Sequence, residues 1–165
     1  MNFEKYYLKE EKEIPELILP IGISGSGKST YISTLNKNHN YVVVSPDEIR
    51  KEICGDVNCQ NRNSEVWKIA KERVVDNLKK NKSVILDATN VNTKNRRAFI
   101  KDLPDCKLIA KILNIDPAIA KQRIQQDIKK GINRSNTPSY AIDRMYDQFK
   151  QTLQDIKHED FKIIN

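Results

Sequence analysis

Glycine is scarce in this chain of 165 residues: there are five. Proline contributes six residues, tryptophan one, and the aromatics together 7%. Those counts exclude collagen-like, glycine/serine-linker and proline-rich low-complexity architectures. No internal repeat is present. No apolar run approaches the roughly 20 residues that a membrane helix needs, so no membrane contact is expected. The opening stretch, Met1 to Glu13, is charged throughout and has no apolar signal-peptide core. The three cysteines, Cys54, Cys59 and Cys106, form no CxxC or Cys/His metal spacing. His39 and His158 each stand without a partner at ligand spacing, so no zinc site is expected. Charge is what the chain has in quantity: 31% charged residues and a formal net charge of +7. A basic surface concentrates polyanions, although a Lys/Asn/Ile-rich composition gives the same total without a nucleic-acid role. With 38% hydrophobic residues the length suits one soluble domain around one core.

Three of the five glycines fall in one stretch, Gly22-Ile-Ser-Gly25-Ser-Gly27-Lys28-Ser29-Thr30. This is G-x-x-x-x-G-K-[ST], a phosphate-binding loop. It follows the apolar run Leu17 to Ile21, which reads as a buried strand. It precedes Thr30 to Leu35, which reads as the first turns of a helix. The flanks matter because the loop works only between a strand and a helix. Backbone N–H groups of Ser24, Gly25, Ser26, Gly27, Lys28, Ser29 and Thr30 can converge on the phosphates of ATP, helped by the helix N-terminus. Lys28 would reach the β- and γ-phosphates, and the Ser29 hydroxyl would sit on Mg2+. A nucleotide site beside an odd number of cysteines suggests reduced thiols and a cytoplasmic location.

Apolar runs then alternate with helical patterns. Tyr41 to Val44, Ser83 to Asp87 and Lys107 to Leu113 read as strands, and residues 161–164 as a last one. Helices are expected after Ser45-Pro46, over Ser64 to Lys80 with Ser64 as cap, over Thr93 to Leu103, from Asp116 to about Lys130, and over Pro138 to Leu153. Such alternation implies an α/β fold, a three-layer sandwich whose parallel sheet of four to five strands carries helices on both faces. Residues 1–15 form a charged arm and residues 16–165 the domain.

In such sheets ligands bind beyond the carboxyl ends of the strands, where three marked motifs should converge. After the second strand, Asp47 and Arg50 lie three apart and share a helix face. Asp47 could accept a proton from an attacking hydroxyl, and Arg50 could grip a phosphate or sulfate of the acceptor. Acidic residues also suit a helix start without any such role. After the third strand, Asp87 suits Mg2+, and Thr89 and Asn90 offer short polar side chains to the cleft. Arg96 and Arg97, on the next helix, read as structural or solvated. The segment Arg123 to Pro138 reads as a basic lid, in which Arg123, Lys130 or Arg134 could neutralise the transferring phosphoryl group. Trp67 reads as packing before base stacking.

Taken together, Gly22 to Thr30, Ser45 to Arg50, Asp87 to Asn90, the basic lid and Pro138…Ile142…Met145…Phe149 resemble the phage-type polynucleotide 5′-hydroxyl kinase domain. That family is a zeta-toxin and adenylate-kinase-like branch of the P-loop kinases. The resemblance covers roughly residues 16–155. It implies a P-loop NTPase fold with a helical lid, and transfer of the ATP γ-phosphate to the 5′-hydroxyl of DNA or RNA. It implies Asp47 as general base, Arg50 on the acceptor's 3′-phosphate, a lid arginine such as Arg134 on the ATP phosphates, and a bacterial or phage-infected cytoplasm. The chain departs from the family pattern at Ala88, where the best-known members carry aspartate, and in a longer lid. The same motifs serve kinases of a small acceptor (a nucleoside, a nucleotide or a sugar nucleotide) and of a modified base in DNA. A nucleotide-gated binding module without catalysis would share the loop as well.

Overall fold

A computed structural model describes residues 13–132 and 136–165. The elements run β1 (Glu16–Ile21), α1 (Lys28–Asn38), β2 (Val42–Val44), α2 (Pro46–Cys54), α3 (Asn63–Lys79), β3 (Val84–Leu86), α4 (Thr93–Ile100), β4 (Lys107–Ile112), α5 (Pro117–Lys129), α6 (Ser139–Asp155), a 3-10 turn (Ile156–His158) and β5 (Lys162–Ile164). The five strands form one parallel sheet in the order β2-β3-β1-β4-β5. This is the parallel α/β architecture that the alternating pattern predicts.

Strand alternation divides the sheet into two faces. Leu17, Leu19 and Ile21 of β1 pack with Val84 and Leu86 of β3 in the larger core, which takes Val66, Ala70 and Val74 of α3, Phe99 of α4, Ile124 of α5 and Phe149 of α6. Ile18, Ile85 and Ile109 face the other way, against Ile32 of α1. Each such fully buried aliphatic side chain stabilises the fold by about 1.5–3 kcal/mol. β1 is central and buried on both faces, which is why its sequence is a continuous apolar run.

Two features differ from the sequence reading for physical reasons. α3 starts at Asn63, with Arg62 rather than Ser64 at its cap. Arg62 pairs with Glu65 at 2.6 Å and donates to the Ile53 carbonyl at 2.7 Å, so an ion pair holds that first turn. Cys54 and Cys59 are joined as a disulfide, against the expectation of reduced thiols. Gly55, with φ of 74°, ends α2 and turns the chain, and Asp56 accepts from the Asn58 amide, which brings the two Cα atoms to 6.3 Å. Cys106 stays free.

One polar cluster fixes the segment after β3. The Arg96 and Glu159 side chains, 0% and 5% exposed, meet at 2.7 Å. Arg96 also donates to the Asn90 carbonyl at 2.8 Å and to Thr152 at 3.2 Å, and Thr152 donates to the Val91 carbonyl at 2.6 Å. The turn 87–91 is thereby fastened to α6 and to the chain following it. Among the described residues no helix is long and apolar enough to cross a membrane.

Candidate active site

β1 delivers the chain to a tight loop between Ile21 and α1. A Cβ at Gly22 would lie 2.7 Å from the Leu113 carbonyl oxygen, and one at Gly25 would lie 2.7 Å from that of Ala120. Gly25 also has φ of 82°, a left-handed conformation that L side chains resist. Both positions therefore demand glycine, and the loop lies flush against β4 and the start of α5. α1 begins at Lys28 with no side-chain cap, so its first amides face the loop without a side-chain acceptor. Lys28 Nζ donates to the carbonyls of Gly22 (3.0 Å) and Ile23 (2.7 Å) and to Ser26 Oγ (3.4 Å). The ammonium thus lies across the mouth of the cradle. Ser26 is buried, whereas Ser29 and Thr30 are exposed at the helix start.

The second motif stands beside this loop. Ser45 accepts from the Glu48 amide at 3.4 Å and Pro46 opens α2, so the helix starts where the sequence places it. Arg50 Nη1 donates to Asp47 Oδ1 at 2.5 Å, and Nη2 donates to Asn63 Oδ1 at 2.7 Å. Arg50 Nε is buried with no partner among the described residues. Asp47 is 52% exposed in its side chain.

The third motif closes the triangle. The Asp87 amide donates to the Val44 carbonyl at 2.9 Å, which ties the end of β3 to the end of β2, just ahead of Asp47. Burial pushes the Asp87 carboxyl above its usual range; the Lys28 charge opposes this, and the charges of Asp47 and Glu48 add to it. The Thr89 carbonyl accepts from the Gly22 amide at 3.1 Å, joining this turn to the phosphate loop. Asn90 has φ of 54° and gives its amide to the carbonyls of Pro20, Leu86 and Ala88 at 2.9, 3.2 and 3.0 Å. Its amide thus holds the turn in shape.

On the lid side, Arg123 Nη1 reaches the Gly25 carbonyl at 3.4 Å, and Lys130 caps α5. Arg134 lies outside the described residues. Two contacts here have no signal in the sequence: Thr137 donates to Ser24 at 3.4 Å, and Ser24 to the Met145 sulfur at 3.9 Å. Asn63 is a third such residue, thirteen positions from the arginine it holds. The structure thus brings together Lys28, Asp47, Arg50, Asp87, Thr89 and Arg123.

A family profile described as an AAA domain matches residues 17–152. The chain belongs to this AAA-domain family. No curated protein sequence matches it. Among solved structures, the AAA domain is similar to a chain of the Pnkp1/Rnl/Hen1 RNA repair complex, with a TM-score of 0.75 and 23% identity over 87% of this chain and 46% of that one. It therefore spans less than half the length of that relative. It is similar to a gluconokinase from Sinorhizobium meliloti 1021, with a TM-score of 0.59 and 17% identity over 92% and 83% of the two chains. It is similar to a deoxyadenosine kinase from M. mycoides, with a TM-score of 0.53, 15% identity and 90% coverage of both. These likenesses show a P-loop kinase fold.

The fold implies use of a nucleotide. The AAA domain's own residues fit ATP with Mg2+: the half-buried Asp87 carboxylate is crowded by Asp47 and Glu48 and faces the Lys28 charge. Among the described residues no group of three or more His, Cys, Asp or Glu could hold a metal alone. A cation shared between one or two carboxylates and nucleotide phosphates is the usual Mg2+ arrangement.

Proposed function

We propose that this AAA domain is an ATP-dependent polynucleotide 5′-hydroxyl kinase. One observation carries the reading: a guanidinium, Arg50, is fixed between Asp47 and Asn63 beside a phosphate loop. A guanidinium held in place beside the loop suits an acceptor that already carries a phosphate. The net charge of +7 and the likeness to a chain of an RNA repair complex support the same acceptor.

In this reading the loop amides and Lys28 hold the triphosphate, and Lys28 exchanges its carbonyl partners for β- and γ-phosphate oxygens. Ser29 and Asp87 would hold Mg2+, which would supply neutralisation of the phosphate charge. Arg50 binds the acceptor's 3′-phosphate and sets the 5′-hydroxyl toward Asp47. Asp47 uses one oxygen for Arg50 and the other to take the hydroxyl proton. The 5′-oxygen bonds to the γ-phosphorus as the bond to the β-phosphate oxygen breaks, and ADP leaves. Arg123, Lys130 or Arg134 compensates the charge spread over the moving group. The compartment in this reading is the cytoplasm of a bacterial or phage-infected cell.

Incubation with Mg2+, labelled ATP and a 5′-hydroxyl oligonucleotide tests it. Label should appear on the oligonucleotide, with a rate that falls steeply as salt is added. Unlabelled oligonucleotide beside labelled gluconate, nucleoside or sugar nucleotide, with a flat salt response, would replace this reading by a small-acceptor kinase. Coverage of 92% and 83% with the gluconokinase is the observation that favours that second reading.

A further inference from the structure

The sheet face that carries α3 and α4 is not closed between them. A cavity of about 620 Å3 runs there, with Leu19 and Leu86 of the sheet among its walls. Trp67 of α3 and Phe99 of α4 line it too, their rings edge to face with centroids 5.8 Å apart. Asn63, Ser64 and Asn95 supply neutral polar groups to its lining, and Lys68, Lys71 and Glu72 of α3 bring charge to it. Asn63 spends its side-chain oxygen on Arg50 and keeps its amide nitrogen, and the Ser64 hydroxyl and Asn95 amide have no partner among the described residues. Arg96 in the wall is neutralised by Glu159, and Lys71 donates to the Ala98 and Lys101 carbonyls.

Two contacts connect this cavity to the reaction centre. Thr89 lines it and binds the Gly22 amide at 3.1 Å through its carbonyl. Asn63 lines it and binds Arg50 at 2.7 Å, which in turn binds Asp47. A molecule in the cavity is thus one residue from the phosphate loop on one side and one residue from the Asp47–Arg50 pair on the other.

We propose that the cavity receives the nucleobase of the acceptor's 5′-terminal nucleotide, with Trp67 and Phe99 against the base and Asn63, Ser64 and Asn95 at its polar edge. The proposal rests on the polynucleotide reading above and narrows it: the enzyme reads the presence of a terminal base as well as a 5′-hydroxyl. A base has apolar faces and a hydrogen-bonding rim, the same division that this lining shows. The size falls within the roughly 300–1,000 Å3 of small-molecule sites.

Trp67 is the single tryptophan of the chain, so its fluorescence reports the cavity directly. With the donor site filled by ADP, a nucleoside 3′-monophosphate should quench that fluorescence saturably, and ribose 3-phosphate should not. An abasic residue at the 5′ end of a 5′-hydroxyl oligonucleotide should raise KM about 5- to 150-fold, the loss expected for one base–aromatic stack. The same lesion at the third position should leave KM unchanged. In Trp67→Leu the terminal penalty should shrink. Quenching by nucleotides without transfer to any oligonucleotide would support the base pocket and remove the polynucleotide reading. Transfer with equal KM for intact and abasic ends would overturn the pocket and leave the kinase standing. Absence of quenching by any nucleotide, or quenching by sugar acids alone, would also overturn it.

Discussion

Two arginines stand on the same side of the sheet and are treated in opposite ways. Arg96 is fully buried, and its donors reach Glu159, the Asn90 carbonyl, Thr93 and Thr152. Arg50 is also mostly covered, at 11% exposure, yet its Nε has no partner among the described residues and its carboxylate mate Asp47 faces solvent. A buried guanidinium is tolerated only when paired and hydrogen-bonded. Arg96 meets that condition within the protein and is part of the scaffold. Arg50 meets it in part, and the partner that holds it, Asp47, stands open to solvent where an acceptor can approach.

That contrast can be broken in a graded series. Asp47→Asn should have the largest effect, lowering turnover about 10²- to 10⁴-fold as a general base is lost. Its melting temperature should stay near wild type, because the asparagine carbonyl oxygen can still accept from Arg50 and Asn63 holds the other side of the fork; steady-state rates and a thermal scan on the same preparation decide this. Arg96→Ala should do the reverse. It strands Glu159 and should cost about 3–5 kcal/mol in a urea titration, while the protein that remains folded still binds ATP. Arg50→Lys keeps the charge and loses the fork. It should raise the KM for a 3′-phosphorylated acceptor about 10- to 100-fold, the worth of one hydrogen bond to a charged group, with kcat changed far less. A KM rise of equal size for an acceptor lacking that phosphate would erase the distinction drawn between the two arginines.

Asp87→Asn should have the smallest effect on stability and an informative sign. Burial raises the Asp87 carboxyl. A raised carboxyl favours the folded state below the unfolded carboxylate range, and that favour is lost as pH rises through the folded value. The ionised group is then a cost to the ligand-free protein at neutral pH. The asparagine variant should melt slightly higher without ligand and show a flatter pH dependence through the acid range. It should also lose most of the thermal shift that Mg2+ with ATP gives the wild type.

The fold was legible because its signals are local. β1 is an unbroken apolar run, and Ser45-Pro46 sets the start of α2 by cap chemistry alone. The phosphate loop, Asp47, Arg50 and Asp87 were legible because each follows directly on a strand. What escaped depends on distant pairs. Asn63 meets Arg50 across a loop whose turn no pattern announces. Trp67 and Phe99 make a cavity from two helices, although each alone reads as core. Arg96 sits on a helix rich in charge, and its burial follows from Glu159, 63 positions later. The Cys54–Cys59 link was hidden by a composition that suited free thiols; Gly55 and Asp56 supply the turn that makes it.

Gly25 lies against the backbone of Ala120 with no room for one added carbon. The glycine cradle and the root of α5 therefore form a single exchangeable cassette. Any side chain placed at position 25 would drive its first carbon into the main chain of Ala120 and push the start of that helix off the loop.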